Sequence, residues 1–280
     1  MNYLYHYTSL ETLALILKNR TICFNNLLYV DDIEEAETED MEKMGRLIYV
    51  SCWTKDSEES IPLWNLYTPN MHGVRIKMPE FPFEKYHYKK GQFFLTEDVD
   101  TYINIEKMFY EDKVSIVPTE PHLIEVQYTN EQNKLFPKIK TESTQDALKK
   151  FLEAKDLDEL RGNEDLKINY SIKDLGRYKR ENWRFQKEWR YIISTSPMGL
   201  QEMNPPSLKK QQEQLRKIEN NELEPAYKQL FLKLDESVLK DIEIVFGPKM
   251  NDAEKIMAVS LIKMYCPEAT YRDSTLRIKE

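Results

Sequence analysis

The alternation of apolar and polar residues predicts short strands interleaved with helices. A strand is predicted wherever β-branched and aromatic residues form a short run bounded by polar residues. These runs cover residues 2–8, 21–24, 46–53, 73–78, 123–128, 188–194, 229–234 and 242–246. Apolar residues at helical spacing predict helices at 10–17, from 60 to the residue before 69, and at 147–154, 208–224 and 251–265. This mixture indicates an α+β fold.

Two local structures are predicted in more detail. Thr8 and Glu11 have the spacing of a capping box, which would start the first helix at the end of the first strand and direct its dipole there. The acidic segment, residues 31–42, is predicted to be a helix with a solvated face, because only three of its twelve positions are apolar.

The 280 residues contain no internal repeat and no long low-complexity linker. We therefore expect a single domain over residues 1–280, with a helical insertion around 130–180 and a helical segment around 207–224. The longest clean apolar run, residues 13–17, is far shorter than the roughly 20 residues that span a bilayer, and no cationic segment precedes it. The sequence thus predicts a cytoplasmic protein that does not contact a membrane.

Glycine, histidine and cysteine content excludes several kinds of site. The closest pair among seven glycines lies fourteen positions apart, so the glycine-rich loops that bind phosphates in Walker and Rossmann proteins are absent from the sequence. The four histidines never occur at i, i+4, and the three cysteines form no C-x-x-C pair. We expect no metal site and no disulfide framework.

Charge is distributed unevenly. The formal net charge is −8, and residues 1–60 contain twelve acids and five bases. A basic segment, residues 177–190, holds six bases in fourteen positions among aromatic residues. Such a segment is typical of a site for a polyanion with stackable rings, such as nucleic acid or a dinucleotide. The alternative is a charged surface beside a core strand, which has the same composition.

Three groups of residues are candidates for chemistry. His6 and Thr8, at a strand end, could bind a sugar diol through imidazole and hydroxyl groups. Trp64 and Tyr67 share one face of a short helix, where either ring could stack on a planar ligand or belong to the core. Glu188 begins an otherwise apolar strand, where it could form an ion pair with a neighbouring arginine or stabilise a cationic transition state.

Several of these motifs together resemble a known family. The segments LYHYTSLETLALILKNRTICFNNL, VSCWT, LWNLYTPNMHGVRIKM, KRENWRFQKEWRYI and IEIVFG occur in the order found in a bacterial family of domains of unknown function, over nearly the whole chain. That family resembles a divergent branch of the ADP-ribosyltransferases of the His-Tyr-Glu type. The resemblance implies a split two-sheet core with helical insertions, and a cleft that binds NAD without a glycine-rich loop.

The resemblance also implies roles for individual residues. His6 and Thr8 would hold a ribose, Tyr67 or Trp64 would stack on nicotinamide, and Glu188 would be the catalytic residue. The remaining roles are contacts to the NAD pyrophosphate and to the acceptor. Arg75 or Arg190 would pair with the pyrophosphate, and Gln186 would contact the acceptor. Separately from the resemblance, the bases and aromatic residues of the basic segment predict acceptor contacts by Trp183, Arg180 and Lys179.

The predicted function is transfer of ADP-ribose from NAD, without a metal, to a macromolecule, with nucleic acid favoured over protein. The resemblance implies a toxin or phage-defence effector, with an antitoxin or inhibitor protein as a partner. The alternative is a non-catalytic module that binds nucleic acid or a protein through the same cleft. Asp112, Glu125 and Gln127 imitate the carboxylate pattern of metal-dependent nucleases. No second convincing metal ligand follows them in the sequence, so a nuclease is not favoured.

Overall fold

The computed structural model describes residues 2–156, 158–160, 168–203 and 207–279. Within these ranges the predicted strands are present, most within two residues of their predicted ends. The predicted strand at 123–128 is interrupted at Val126 and forms two strands. The strands are β1 Tyr3–Thr8, β2 Thr21–Asn26, β3 Ile48–Thr54, β4 Val74–Pro79, β5 Tyr86–Tyr88, β6 Val99–Thr101, β7 Ser115–Ile116, β8 His122–Glu125, β9 Gln127–Thr129, β10 Tyr178–Arg180, β11 Glu188–Ser196, β12 Gln229–Lys233, β13 Glu243–Phe246 and β14 Thr270–Asp273.

The helices also follow the predicted pattern, and two extra short ones appear. The α-helices are α1 Leu10–Asn19, α2 Ile61–Tyr67, α3 Ile105–Tyr110, α4 Gln132–Leu135, α5 Glu142–Glu153, α6 Leu208–Glu219 and α7 Asp252–Tyr265. Short 3₁₀ helices are Leu27–Tyr29, Ile33–Ala36, Met44–Leu47, Pro69–Met71, Gln92–Phe94, Glu181–Gln186 and Glu236–Lys240. The expected insertion at 130–180 contains α4 and α5, and residues 157 and 161–167 lie outside the described part of the chain.

The α+β prediction is confirmed, with a large mixed sheet as the main feature. In the described chain, ten strands form this sheet, and its longest path runs β12-β2-β3-β1-β4-β13-β14. On the other side of β3, β11 pairs with all seven residues of β3, from Glu188 opposite Thr54 to Ser194 opposite Ile48. Among the described strands of this sheet, only β13 and β14 pair in parallel.

The sheet forks at β3. β2 pairs with β3 only near its start, at Tyr49 and Val50, whereas β1 pairs with it only at Thr54. The three residues between these points, Ser51 to Trp53, lie where the two neighbouring strands have diverged. α1 connects β1 to β2 and packs against α7, burying Leu13 and Leu17 beside the sheet. The fork opens a space within the sheet, next to α1.

The prediction for the start of α1 is wrong by one residue. Ser9, not Thr8, is the N-cap, and its hydroxyl accepts a hydrogen bond from the backbone N–H of Thr12 at 3.2 Å. Because the helix begins at Leu10, the third helical position is Thr12 and not Glu11. Thr8 remains the last residue of β1 and is buried.

The acidic segment is not the predicted solvated helix. It forms only the 3₁₀ turn Ile33–Ala36 and a bridge between Thr38 and Glu42. Several of its carboxylates have partners that lie far away in the sequence. The side chain of Asp40, for example, accepts hydrogen bonds from the backbone of Ile139 and Lys140, both at 2.8 Å. These tertiary contacts replace the helical hydrogen bonds.

Candidate functional site

A cavity of about 580 Å³ lies in the fork of the sheet. One side is lined by β3 and β11, through Cys52, Thr54 and Glu188, and another by β1 and α1. These walls meet at Thr54, which pairs with Tyr5 of β1 on one side and with Glu188 of β11 on the other. The single strand β3 therefore brings residues from the start of the chain next to residues near position 188.

Glu188 is buried in this cavity wall between two cations. The residue is 3% exposed. Its Oε1 accepts a hydrogen bond from Arg190 Nε at 2.7 Å, and its Oε2 accepts one from Lys179 Nζ at 2.9 Å. Of the two interpretations of Glu188, the ion pair with Arg190 is therefore present, and Lys179 adds a second one. Glu188 also lines the cavity.

The two cations determine the ionisation of Glu188. Burial alone would raise the pKa of its carboxyl, but Arg190 and Lys179 outweigh burial and lower the pKa from 4.5 to about 2. Cys52 lies on the face of β3 that carries Thr54, next to Glu188 and Arg190 of β11. Burial and the Glu188 charge raise the pKa of the Cys52 thiol. Glu188 is thus an anion throughout the neutral range, and Cys52 is a thiol.

Sequence reasoning missed Glu35, which belongs to the same charged group. Glu35 is 5% exposed and forms ion pairs with Arg190 and, through Oε1, with Lys179 at 3.2 Å. The one available signal was the opposite charge of two segments of the chain. Glu34 and Glu35 of the acidic segment 31–42 pair with Lys179, Arg180 and Arg190 of the basic segment 177–190, which neither segment shows by itself.

The basic segment does not present an unpaired cationic surface. Five of its six bases pair with carboxylates, and Arg177 donates to the Lys173 carbonyl at 2.7 Å. The pairs are Lys179 with Glu35 and Glu188, Arg180 with Glu34, Arg184 with Glu181, Lys187 with Asp56, and Arg190 with Glu35 and Glu188. The structure thus removes the observation from which nucleic-acid contacts by Lys179 and Arg180 were predicted.

His6 borders the cavity on the α1 side. Its Nδ1 lies 2.9 Å from the Cys52 carbonyl oxygen, and its ring centroid lies 4.9 Å from that of Trp53. Because a carbonyl only accepts, Nδ1 must carry the hydrogen. Burial lowers the pKa of His6, although the bond to Cys52 opposes this effect. The ring is therefore neutral at pH 7, with Nε2 as a hydrogen-bond acceptor.

The structure distinguishes the two candidate aromatic residues of α2. Tyr67 lines the cavity, and its hydroxyl accepts a hydrogen bond from Gln186 Nε2 at 2.7 Å. Gln186 also lines the cavity, is 2% exposed, and accepts a hydrogen bond from Lys179 Nζ at 2.9 Å. Trp64 is fully buried against Tyr7 and donates to Glu59, so it is a core residue.

The predicted pyrophosphate contacts are not available. Arg75 is 2% exposed, donates to the Ser57 carbonyl at 2.9 Å, and does not appear among the described residues that line the cavity. Arg190 lines the cavity, but it is fully buried and held by Glu35 and Glu188.

Two of the predicted acceptor contacts lie away from the cavity. Trp183 is partly buried, with Lys179 Nζ 5.1 Å from its ring centroid. Neither Trp183 nor Arg180 belongs to the cavity lining among the described residues. Of the residues singled out from the sequence, those that meet at the cavity are His6, Thr8, Tyr67, Lys179, Gln186, Glu188 and Arg190.

Comparisons with known proteins add no identification: no family model, curated protein or solved structure matches the chain. The described residues contain no group of three or more histidine, cysteine, aspartate or glutamate side chains placed to hold a metal ion. Over the same residues, no helix combines the length and apolar character needed to cross a membrane.

Proposed function

We propose that the chain is an NAD-dependent ADP-ribosyltransferase whose substrate occupies the cavity in the sheet fork. One observation carries this proposal. His6, Thr8, Tyr67, Gln186 and Glu188, which were chosen as ribose, nicotinamide, turn and catalytic residues from segments far apart in the sequence, line the same cavity. The ADP-ribosyltransferase relationship itself rests on the sequence resemblance.

The chemistry of the lining residues suits this reaction. When the bond between ribose C1′ and the nicotinamide nitrogen breaks, nicotinamide leaves with the bonding electrons and positive charge develops on the ribose. The ionised carboxylate of Glu188 would stabilise that charge. Nε2 of neutral His6 would accept a hydrogen bond from a ribose hydroxyl. A nucleophile of the acceptor would then form the new bond to C1′ and lose its proton.

The pyrophosphate of NAD would be bound by neutral donors. Both cations of the described cavity lining, Lys179 and Arg190, are neutralised by carboxylates. The lining offers neutral amides and hydroxyls instead, from Thr12, Asn19 and Asn25 among others. A neutral hydrogen bond is weaker than a charge-assisted one, so we expect modest affinity for NAD.

A second candidate, a non-catalytic binding module, is favoured by the charge balance around Glu188. Each oxygen of its carboxylate already contacts a cation, which reduces the negative potential that a developing ribose cation would encounter. A ligand without phosphate groups would fit the same cavity with no need for unpaired cations.

The experiment that tests the proposal is incubation of the purified protein with NAD labelled in its adenylate portion. Nicotinamide release is measured first without and then with single-stranded DNA, single-stranded RNA, duplex DNA or total cellular protein. Release together with label on one class of macromolecule supports the proposal and identifies the acceptor. Binding of NAD without release would support the non-catalytic module. If the protein neither binds NAD nor releases nicotinamide, NAD is excluded as the ligand.

We expect His6→Ala to weaken NAD binding about tenfold, because a ligand hydrogen bond is worth roughly 1–1.5 kcal/mol. The melting temperature should fall by only about 2–4 °C, since the variant also loses the bond to Cys52 and the contact with Trp53. Titration calorimetry with NAD and a thermal scan measure the two effects. The matched control is His87→Ala, because His87 is exposed and pairs with Asp100. Unchanged NAD affinity in folded His6→Ala would contradict the ribose assignment.

A further inference from the structure

Four buried side chains form a closed ring of alternating charge at the wall of the cavity. Lys179 contacts Glu188 at 2.9 Å and Glu35 at 3.2 Å, and Arg190 contacts the same two carboxylates. The exposed fractions are 5% for Glu35, 4% for Lys179, 3% for Glu188 and 0% for Arg190. Each base therefore bridges both acids, away from water.

Glu35 is the member of the ring that does not face the ligand. Lys179, Glu188 and Arg190 line the cavity, whereas Glu35 is absent from the lining among the described residues. Glu35 belongs to the 3₁₀ turn Ile33–Ala36. The side chain of Asp32 caps this turn, and Ala36 lies so close to Gly45 that a Cβ at position 45 would be 2.5 Å from its Cα. These contacts fix the backbone at Glu35, and its carboxylate is held by the ion pairs with Lys179 and Arg190.

The charge of the ring depends on Glu35. Two acids and two bases sum to zero, and removing the Glu35 charge would leave the ring, Glu188 included, with a net charge of +1. In a buried group of this kind a single uncompensated charge acts strongly, because little solvent screens it. With Glu35 present, each cation divides its attraction between two carboxylates.

We propose that Glu35 is a positioning residue that sets the charge balance at Glu188. It holds Lys179 and Arg190 from the side opposite the cavity, so that the Glu188 carboxylate keeps the negative potential that it needs towards the ligand. As a role in catalysis this rests on the proposed function. The charge balance itself can be measured without any turnover.

The first test is a charge-rebalancing comparison of Glu35→Gln with the double variant Glu35→Gln/Lys179→Gln. The single change leaves the ring at +1, and the double change returns it to zero with two amides that can hydrogen-bond. We expect Glu35→Gln to lower kcat for nicotinamide release about tenfold with little change in KM, and the double variant to recover most of that loss. A rate that falls further in the double variant would overturn the proposal.

The matched control is Glu34→Gln. Glu34 is the preceding residue of the same 3₁₀ turn, and it pairs with Arg180 in a partly exposed position. Its charge is screened by solvent, so we expect nicotinamide release per folded molecule to match that of the unmodified chain. A loss in Glu34→Gln equal to that in Glu35→Gln would show that the turn matters and not the buried charge, and would also overturn the proposal.

The second test reports the charge balance without turnover, through alkylation of Cys52 by iodoacetamide. Cys52 lines the cavity on the face of Arg190, and the groups around its thiol are Glu188, Arg190, Lys179 and the hydroxyl of Tyr67. In a background lacking the other two cysteines, added positive charge should favour the thiolate. We expect Glu35→Gln to speed alkylation about tenfold at a fixed mildly alkaline pH, and the double variant to return to the original rate.

The outcomes separate this proposal from the proposed function. If the unmodified chain releases no nicotinamide, the transferase function is wrong, while the alkylation rates still decide whether Glu35 balances the charge. If Glu35→Gln is unfolded, a folded double variant supports charge balance. An unfolded double variant, or equal alkylation rates in all three proteins, overturns it.

Discussion

We expect Glu188→Gln to lower the rate of nicotinamide release by on the order of 10²-fold or more, because the developing ribose cation would face a neutral amide. The loss should appear in kcat, since the carboxylate acts mainly on charge that develops in the transition state. The measurement is steady-state release of nicotinamide by variant and unmodified chain, each corrected for its folded fraction.

The environment of Glu188 means that this variant will also be less stable. In the structure the substitution leaves Lys179 and Arg190 with only Glu35 as a buried counter-ion. Breaking a buried ion pair from one side costs about 3–5 kcal/mol, and the isosteric amide places the expected loss near the lower value. The folded-fraction correction is therefore essential.

A matched control separates lost chemistry from lost stability. Glu59 is also a buried carboxylate with several partners, among them Trp64 and Ser274, and it lies outside the described cavity lining. We expect Glu59→Gln to lower the melting temperature and to keep nicotinamide release per folded molecule. If Glu59→Gln loses release as severely as Glu188→Gln, or if Glu188→Gln keeps the original rate, Glu188 is not catalytic.

The elements of the main sheet were predictable because their signals are local. Each of β1, β3, β4, β11, β12 and β13 is a short run rich in apolar and aromatic residues, and each run is buried on at least one face, as the pattern predicts. The fork could not be predicted. It arises because β1 and β2 leave the same edge of β3 at different residues, which is a matter of register between strands.

The candidate site was predictable for uncharged residues and less so for charged ones. His6 and Thr8 were predicted from a strand end, Tyr67 from one face of a short helix and Gln186 from the family resemblance, and all four line the cavity. Arg190 and Lys179 were assigned to ligands because the sequence does not show how many carboxylates surround each of them. Their partner Glu35 is more than 140 positions away, in a segment whose composition is typical of a solvated surface.

The depressed pKa of Glu188 leads to a second large effect, on stability at low pH. A carboxyl whose pKa is lower in the folded chain than in the unfolded chain stabilises the fold above the unfolded pKa. That stabilisation is lost as the pH falls through the folded pKa. Here the pKa falls from 4.5 to about 2, so Glu188 contributes fully above about pH 4.5 and loses its contribution between there and about pH 2. A shift of this size corresponds to about 3 kcal/mol.

We therefore expect the difference in unfolding free energy between the unmodified chain and Glu188→Gln to be about 3 kcal/mol at neutral pH and to shrink towards zero near pH 2. Glutamine mimics the protonated carboxyl, so the two proteins become equivalent where Glu188 is protonated. Urea unfolding of both proteins over this pH range measures the difference. Glu34→Gln is the control: its carboxylate is partly exposed, so its difference should stay below about 1 kcal/mol at every pH. A difference for Glu188→Gln that does not change with pH would mean that Glu188 stabilises the fold by packing, and that Lys179 and Arg190 do not hold its charge.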